Sequence, residues 1–189
     1  LFQLFSAISP FFVAMFLIMA SVFNGDVKGM VYLGGVLIAS VINLFVMNLI
    51  RSPISLDASP VCNILELPYF NVSMYNSPAF NSTFLGFTAA YLIMPMFSND
   101  GGSANINYGV IIMLLSLFMV DAVSKVTNKC TNPSGVVFGG ILGSIIGFLW
   151  FNMLNTATTK NLLYFNSFVS NKQYCERPVK QQFVCRTKK

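Results

Sequence analysis

Long apolar runs separated by short polar segments alternate along the chain. A transmembrane helix needs about 20 mostly apolar residues. By this measure the pattern predicts five spans, over residues 1–23, 30–50, 83–97, 108–120 and 135–154. Asn24-Gly25-Asp26 is typical of a turn, and SNDGGSANIN (98–107) is typical of a loop. We therefore expect an all-α, polytopic membrane bundle over residues 1–155, with two outer loops and a separate tail over 156–189.

The first apolar run has the position of a signal peptide but not its composition. It lacks a basic segment at its start, and it exceeds the roughly 7–15 apolar residues of a signal core. We interpret it as a membrane span with a kink at Pro10.

Composition supports a membrane protein. Hydrophobic residues make up 55% of the 189 residues and charged residues only 9%, whereas soluble domains have about 25% charged residues. The net charge of +5 does not indicate nucleic-acid binding, because most of the basic residues lie in the last thirty positions. A basic tail beside a membrane span is more typical of a topology determinant. These basic residues are Lys160, Lys172, Arg177, Lys180, Arg186, Lys188 and Lys189.

The distribution of Lys and Arg predicts the orientation of the bundle. With five spans, the loops 51–82 and 121–134 share one side, which holds Arg51, Lys125 and Lys129. The other side holds Lys28 and the basic tail. Because cytoplasmic segments are enriched in basic residues, we expect the tail to be cytoplasmic and the two loops to face outward. The glycosylation triplets 71–73 and 81–83 lie on this outer side, which permits the modification.

The four cysteines divide into two pairs. Cys62 and Cys130 lie in the two outer loops and can be bridged to each other. Cys175 and Cys185 flank a short tail segment whose length suits a local disulfide. On the cytosolic side disulfides are rare, so either this second pair is reduced or the tail is not cytosolic.

The absence of histidine is the most informative negative feature of the sequence. It excludes Ser-His-Asp and Cys-His catalysis and removes the commonest metal ligand. No cysteine pair has zinc-site spacing, and there is no glycine-rich phosphate loop. The acidic residues form no close pair for hydrolysis, so we expect no metal and no cofactor. They are Asp26, Asp57, Glu66, Asp100, Asp121 and Glu176.

Two patterns concern the later helices. Asp121 ends the fourth predicted span with Lys125 at i+4, and we interpret this pair as a marker of the membrane interface rather than as a functional site. Small residues recur every four positions along the fifth span, which allows close helix approach. This face either packs within the chain, which we favour, or forms a dimer contact. Its members are Gly135, Gly139, Gly143 and Gly147.

Three short segments resemble a known set of signatures in order and membrane position. Arg51-Ser52-Pro53 closes the second span, Pro78-Ala79-Phe80-Asn81 precedes the third, and Ser124-Lys125 is followed by Thr131 and Gly135. Together they resemble the signatures of the PAP2-like family, the type 2 phosphatidic acid phosphatases, over about residues 30–155. The resemblance implies a helical bundle with a phosphate site at the outer membrane face.

The same resemblance implies that catalysis has been lost. Thr131 stands where the family has its nucleophilic histidine, Gly135 where an aspartate orients that histidine, and Asn81 where a second histidine protonates the leaving group. Ser52 replaces an arginine, with Arg51 one residue out of register. A threonine without a base is a poor nucleophile, so the resemblance implies a pseudoenzyme. Arg51, Lys125 and Lys129 remain as basic residues able to hold a phosphate headgroup.

We therefore expect a non-catalytic integral membrane protein that acts structurally in a membrane-associated assembly, with the membrane layer of a large virus as one setting. Contacts to other membrane or membrane-apposed proteins are expected through loop 51–82 and the tail, which can also attract anionic lipids. Two alternatives stay open. One is binding or residual hydrolysis of a lipid phosphate, and the other is a small channel or transporter.

Overall fold

A computed structural model describes residues 2–53, 58–59, 62, 75–98, 106–156 and 162–164. Within these ranges the chain forms five helices and no strand, with one isolated bridge between Pro53 and Tyr75. The all-α fold class expected from the sequence is confirmed. The helices are α1 (Phe2–Asn24), α2 (Lys28–Ile50), α3 (Phe80–Ser98), α4 (Tyr108–Thr127) and α5 (Pro133–Leu154).

Four of these helices, α2 to α5, are long and apolar enough to cross a membrane. In α1 the apolar helix found among the described residues runs from Ile8 to Asn24, which is shorter. Large apolar side chains stay exposed on the outside of the bundle, for example Leu37 and Phe45 of α2 and Ile112 of α4. Exposed apolar surface of this extent is typical of helices that face lipid. These features fit an integral, multi-pass membrane protein, with four of the five expected spans supported.

Two helices extend by three residues or more beyond the spans expected from the apolar pattern. α3 begins at Phe80 rather than at 83, and α4 continues to Thr127 rather than ending at 120. The extra turns are polar, and their side chains bond to the neighbouring helix: the carboxylate of Asp121 in α4 accepts hydrogen bonds from Asn81 and Ser82 of α3. Because the polar residues pack inward, apolar periodicity alone starts α3 too late and ends α4 too early.

The turn between α1 and α2 occurs at Asn24-Gly25-Asp26, as the sequence predicts. Gly25 adopts a positive φ of 64°, which glycine tolerates without a steric penalty. The Ser21 hydroxyl donates to the Asp26 carboxylate at 2.6 Å and accepts from the Gly29 N–H at 2.8 Å. Lys28 lies 3.8 Å from the same carboxylate. The hairpin end is therefore fixed by a small polar cluster.

α3 and α5 form the most extensive helix pair, and the glycines of α5 face it. A Cβ atom on Gly139 would lie 2.7 Å from the carbonyl oxygen of Ala79, and one on Gly147 would lie 2.6 Å from that of Phe87. Gly143 approaches the carbonyl of Thr83 even more closely. The two helices therefore touch backbone to backbone, which only small residues permit. In this structure the glycine face packs within the chain.

The segment 162–164 returns to the helices at the end opposite the α2–α3 connection. Leu163 is buried, and the Tyr164 hydroxyl donates to the carbonyl of Leu17 at 2.7 Å. The Tyr164 ring meets Tyr91 edge-on at a centroid distance of 6.5 Å. The bundle therefore continues past the expected boundary at residue 155, because these two side chains complete the core between α1 and α3.

Candidate functional site at the disulfide end

The three segments that resemble the PAP2-like signatures lie together at one end of the bundle, where α2 and α4 end and α3 and α5 begin. A disulfide joins Cys62 to Cys130 there, so we call it the disulfide end. The Ser59 N–H donates to the carbonyl of Asn128 at 3.2 Å, and the disulfide sulfur of Cys62 lies 3.8 Å from the same oxygen. The loop after α2 is thus attached to the α4–α5 connection. The other cysteine pair, Cys175 and Cys185, lies outside the described residues, as does Asn71.

Thr131 and Gly135, the nucleophile and orienting positions of the resemblance, contact each other in the α4–α5 connection and the first turn of α5. The Thr131 hydroxyl is buried and donates to the carbonyl of Asn76 at 2.5 Å. A Cβ atom on Gly135 would lie 2.6 Å from that hydroxyl oxygen and 3.3 Å from the Cβ atom of Ser77. The structure therefore leaves no room for a carboxylate at position 135.

The residue that links these positions, Asn76, was not singled out from the sequence. Its N–H donates to the carbonyl of Ser52 at 3.0 Å, while its own carbonyl receives the Thr131 hydroxyl. The Ala79 N–H donates to the carbonyl of Gly135 at 3.0 Å. Asn76 makes both of these contacts through its backbone groups, so a search for reactive side-chain motifs had no signal for it.

Asn81, at the general-acid position, lies in the first turn of α3 and faces α4. Its side-chain N–H donates to one carboxylate oxygen of Asp121 at 3.3 Å, and Ser82 lies 3.5 Å from the other oxygen. Lys125 lies 3.6 Å from that second oxygen. Asp121 is fully buried, with an exposed fraction of 0%. The pair exists as predicted, and its carboxylate is enclosed between α3 and α4, which the i, i+4 spacing alone did not indicate.

The three proposed phosphate contacts have different surroundings. The ammonium of Lys125 faces Asp121, whose negative charge offsets it. Arg51 is exposed, ends α2 in a left-handed conformation with φ 50°, and donates its Nε–H to the carbonyl of Asn48 at 3.1 Å. Lys129 is exposed and also left-handed, with φ 54°. The structure brings all three to the disulfide end, but it engages Lys125 in an internal ion pair.

The other positions that match the signatures lie in buried or hydrogen-bonded surroundings. Pro53 forms the bridge to Tyr75, and Pro78 is buried just before α3. Ser124 is also buried, and its carbonyl accepts from the backbone and side-chain N–H groups of Asn128 at 3.1 and 2.6 Å. Across the described ranges, no group of three His, Cys, Asp or Glu residues is arranged to hold a metal ion.

The arrangement offers little for acid–base or nucleophilic chemistry. The Thr131 hydroxyl already has a backbone acceptor, and the Asp121 carboxylate is surrounded by donors from Asn81, Ser82 and Lys125. A nucleophile needs an adjacent base or a lowered pKa, and the contacts of Thr131 provide a carbonyl acceptor instead.

Comparisons of the chain with protein-family models, with curated proteins and with solved structures found no match.

Proposed function

We propose that the chain is a non-catalytic integral membrane protein that acts structurally, on a scaffold resembling the PAP2-like lipid phosphatases. The observation that carries this proposal is the contact between Thr131 and Gly135. At the two positions where the resemblance demands a nucleophile and its orienting carboxylate, the chain has a hydroxyl bonded to a backbone carbonyl and a glycine with no space beside it. Both serve packing.

The rest of the disulfide end supports a structural role. The Cys62–Cys130 bond attaches loop 51–82 to the α4–α5 connection, and the Asn76 N–H joins the two ends of that loop through the carbonyl of Ser52. The helices α3 and α5, which begin at this end, are in close backbone contact. A loop held in this way is suited to presenting a contact surface to a neighbouring protein. The membrane layer of a large virus remains a prediction from the sequence, as does a cytoplasmic tail.

The two alternatives receive no specific support. Lys125, one of the three residues expected to bind a lipid phosphate, is paired with Asp121. For a channel, the described helices contain Lys28 and Lys125 as basic residues, and each lies within 3.8 Å of an aspartate. The Lys125–Asp121 pair lies within α4 and the Lys28–Asp26 pair at the α1–α2 turn, so neither pair is specific evidence for an ion path.

The non-catalytic part is tested by phosphate release from phosphatidic acid. The full chain is purified and reconstituted beside its Thr131→Ala variant, with an active lipid phosphatase as positive control. We expect both forms of the chain to release phosphate at the background rate. Release by the wild type above that of Thr131→Ala would show that the hydroxyl still reacts and would overturn the proposal.

The structural part is tested by site-specific photocrosslinking in the native membrane. A photoreactive amino acid is placed at Ser59, in the loop attached to the bundle, or at Leu37, on the exposed apolar face of α2. We expect a discrete protein adduct from position 59 and only lipid adducts from position 37. Lipid adducts alone from both positions would contradict a protein contact through the loop.

A further inference from the structure

One polar side chain in the membrane-spanning length of α2 lacks a complete set of partners. Asn43 is fully buried, and its side-chain oxygen accepts from the Thr83 hydroxyl at 2.8 Å. Its side-chain nitrogen has no hydrogen-bond partner among the described residues. A buried donor left in this state destabilises the folded protein, and the surrounding lipid offers no water to relieve it.

The amide group lies at the base of a narrow crevice between α2 and α3. Apolar side chains make up most of its walls, and the half-buried Ser40 and Phe80 are its most exposed members. The Ser40 hydroxyl already donates to the carbonyl of Val36 at 2.8 Å. The Asn43 amide is therefore the group in the crevice with an unused donor. The other lining residues are Val36, Ala39, Thr83, Phe84 and Phe87.

Exchanging the nitrogen and oxygen of the amide does not remove the deficit. The Thr83 hydroxyl oxygen also lies 3.2 Å from the carbonyl of Ala79, so it can donate there and accept from Asn43 instead. In that orientation the side-chain oxygen of Asn43 is left without a donor. A hydroxyl group satisfies either orientation, because it both donates and accepts.

We propose that this crevice binds a membrane lipid whose whole polar headgroup is an uncharged hydroxyl, with that hydroxyl bonded to Asn43. Asn43 precedes the last residue of α2 by seven positions, which places it about 10 Å below the helix end at 1.5 Å per residue. A charged headgroup at that depth would need a partner charge, and no charged residue lines the crevice. Sterols and diacylglycerols share the required chemistry. This inference does not depend on the proposed function.

Binding requires a local rearrangement, because the space beside the amide is too narrow for a water molecule. Phe80 is the first residue of α3 and is half-buried. Because no helical turn precedes it, its ring can rotate away from the crevice. The ring of Phe84 is held from the other side by Phe11, at a centroid distance of 5.9 Å. Phe80 therefore forms the movable wall.

The experiment uses the full chain reconstituted in phosphatidylcholine vesicles with photoreactive analogues of a sterol, a diacylglycerol or phosphatidylcholine. We expect at least one hydroxyl lipid to label segments 36–43 and 80–87, and the phosphatidylcholine probe not to concentrate there. Asn43→Leu removes the hydrogen-bonding group, and loss of one neutral hydrogen bond should weaken that labelling about fivefold to tenfold. The two hydroxyl probes identify which lipid class is bound.

Two further variants make the result decisive. Asn48→Leu is the matched control, because Asn48 lies on the exposed face of α2 and bonds to the carbonyl of its own Leu44; labelling should be unchanged. Ser40→Leu narrows the crevice without altering Asn43 and should also weaken labelling, which decides the matter if Asn43→Leu does not fold. Labelling that stays at the wild-type level in Asn43→Leu or in Ser40→Leu, or wild-type labelling that maps elsewhere for both hydroxyl lipids, would overturn the proposal.

Discussion

Gly143 of α5 packs against the carbonyl oxygen of Thr83 in α3 so closely that no Cβ atom fits between them. Thr83 in turn donates its hydroxyl to Asn43 of α2 at 2.8 Å. Three helices therefore meet at one level of the bundle, two through backbone contact and the third through a side-chain hydrogen bond. The separation of α3 and α5 controls the position of both Thr83 and the crevice beside it.

Replacing Gly143 with alanine should destabilise the bundle. The added methyl group meets backbone atoms of Thr83 and Phe87, which cannot rotate away as a side chain can, so α3 and α5 must separate. Overpacking of this kind costs about 1–3 kcal/mol. The measurement is thermal unfolding of the purified protein in detergent, followed by the loss of monomeric protein.

Gly34→Ala is the matched control for this prediction. A Cβ atom at position 34 would have its nearest neighbour, the Trp150 ring, at 3.9 Å, which is an ordinary contact. Alanine also favours a helix over glycine by up to about 1 kcal/mol. Gly34→Ala should therefore be neutral or stabilising. Equal melting temperatures for the two variants would refute the close contact between α3 and α5.

Replacing Thr131 with valine should lower the stability of the folded protein. The variant removes the hydroxyl donor and leaves the buried carbonyl of Asn76 without that bond, which costs about 1 kcal/mol. Thr127→Val, at an exposed position in the last turn of α4, is the control and should be neutral. Thermal unfolding of both variants provides the comparison, and a neutral Thr131→Val would argue against a packing role for this hydroxyl.

The sequence predicts the class of fold and the order of the helices because apolar runs of span length are a strong signal. The glycine spacing predicted close helix packing, and its partner, α3, became visible only in the structure. The roles of Asp121 and Asn76 could not be predicted from local sequence. Asp121 is buried by Asn81, forty residues away, and Asn76 acts through its backbone. Contacts between distant residues and backbone groups leave no local pattern.

Breaking the disulfide should loosen the disulfide end. Cys62 and Cys130 are separated by 68 residues, and for a loop of this length the chain-entropy estimate of the stabilisation is about 4 kcal/mol. We expect the double variant Cys62→Ser/Cys130→Ser to melt at a lower temperature than the oxidised wild type. Adding a reductant should bring the wild type down to the level of the variant. A melting temperature that responds to neither change would show that the loop is held by its other contacts.

Alkaline pH should destabilise the contact between Tyr164 and α1. Burial raises the pKa of Tyr164 to about 12; a hydrogen bond with Ser21 lowers it, and the nearby Asp26 charge adds to the rise. An exposed tyrosine ionises at about 10. The folded protein therefore keeps a proton that the unfolded chain loses, so stability falls as the pH rises from about 10 to about 12.

Tyr164→Phe isolates this contribution. The variant lacks the hydroxyl and its bond to Leu17, so it should be slightly less stable at neutral pH and lose less stability between pH 10 and 12. Melting temperatures of both proteins over that range provide the measurement. Parallel pH profiles would mean that the Tyr164 hydroxyl does not titrate differently in the folded and unfolded chains.

Removing only the cation of the buried pair Asp121–Lys125 should cost more stability than removing both charges. Lys125→Met leaves the fully buried carboxylate of Asp121 without its cation, and breaking a buried pair in this way costs about 3–5 kcal/mol. Adding Asp121→Asn to this variant removes the uncompensated charge while keeping a side chain that can bond to Asn81 and Ser82. The double variant should therefore be more stable than Lys125→Met alone.

Lys129→Met, at an exposed position, is the control and should change stability little. If the single and double variants melt together, the carboxylate is not enclosed as the structure describes, and Asp121 would instead mark the membrane interface.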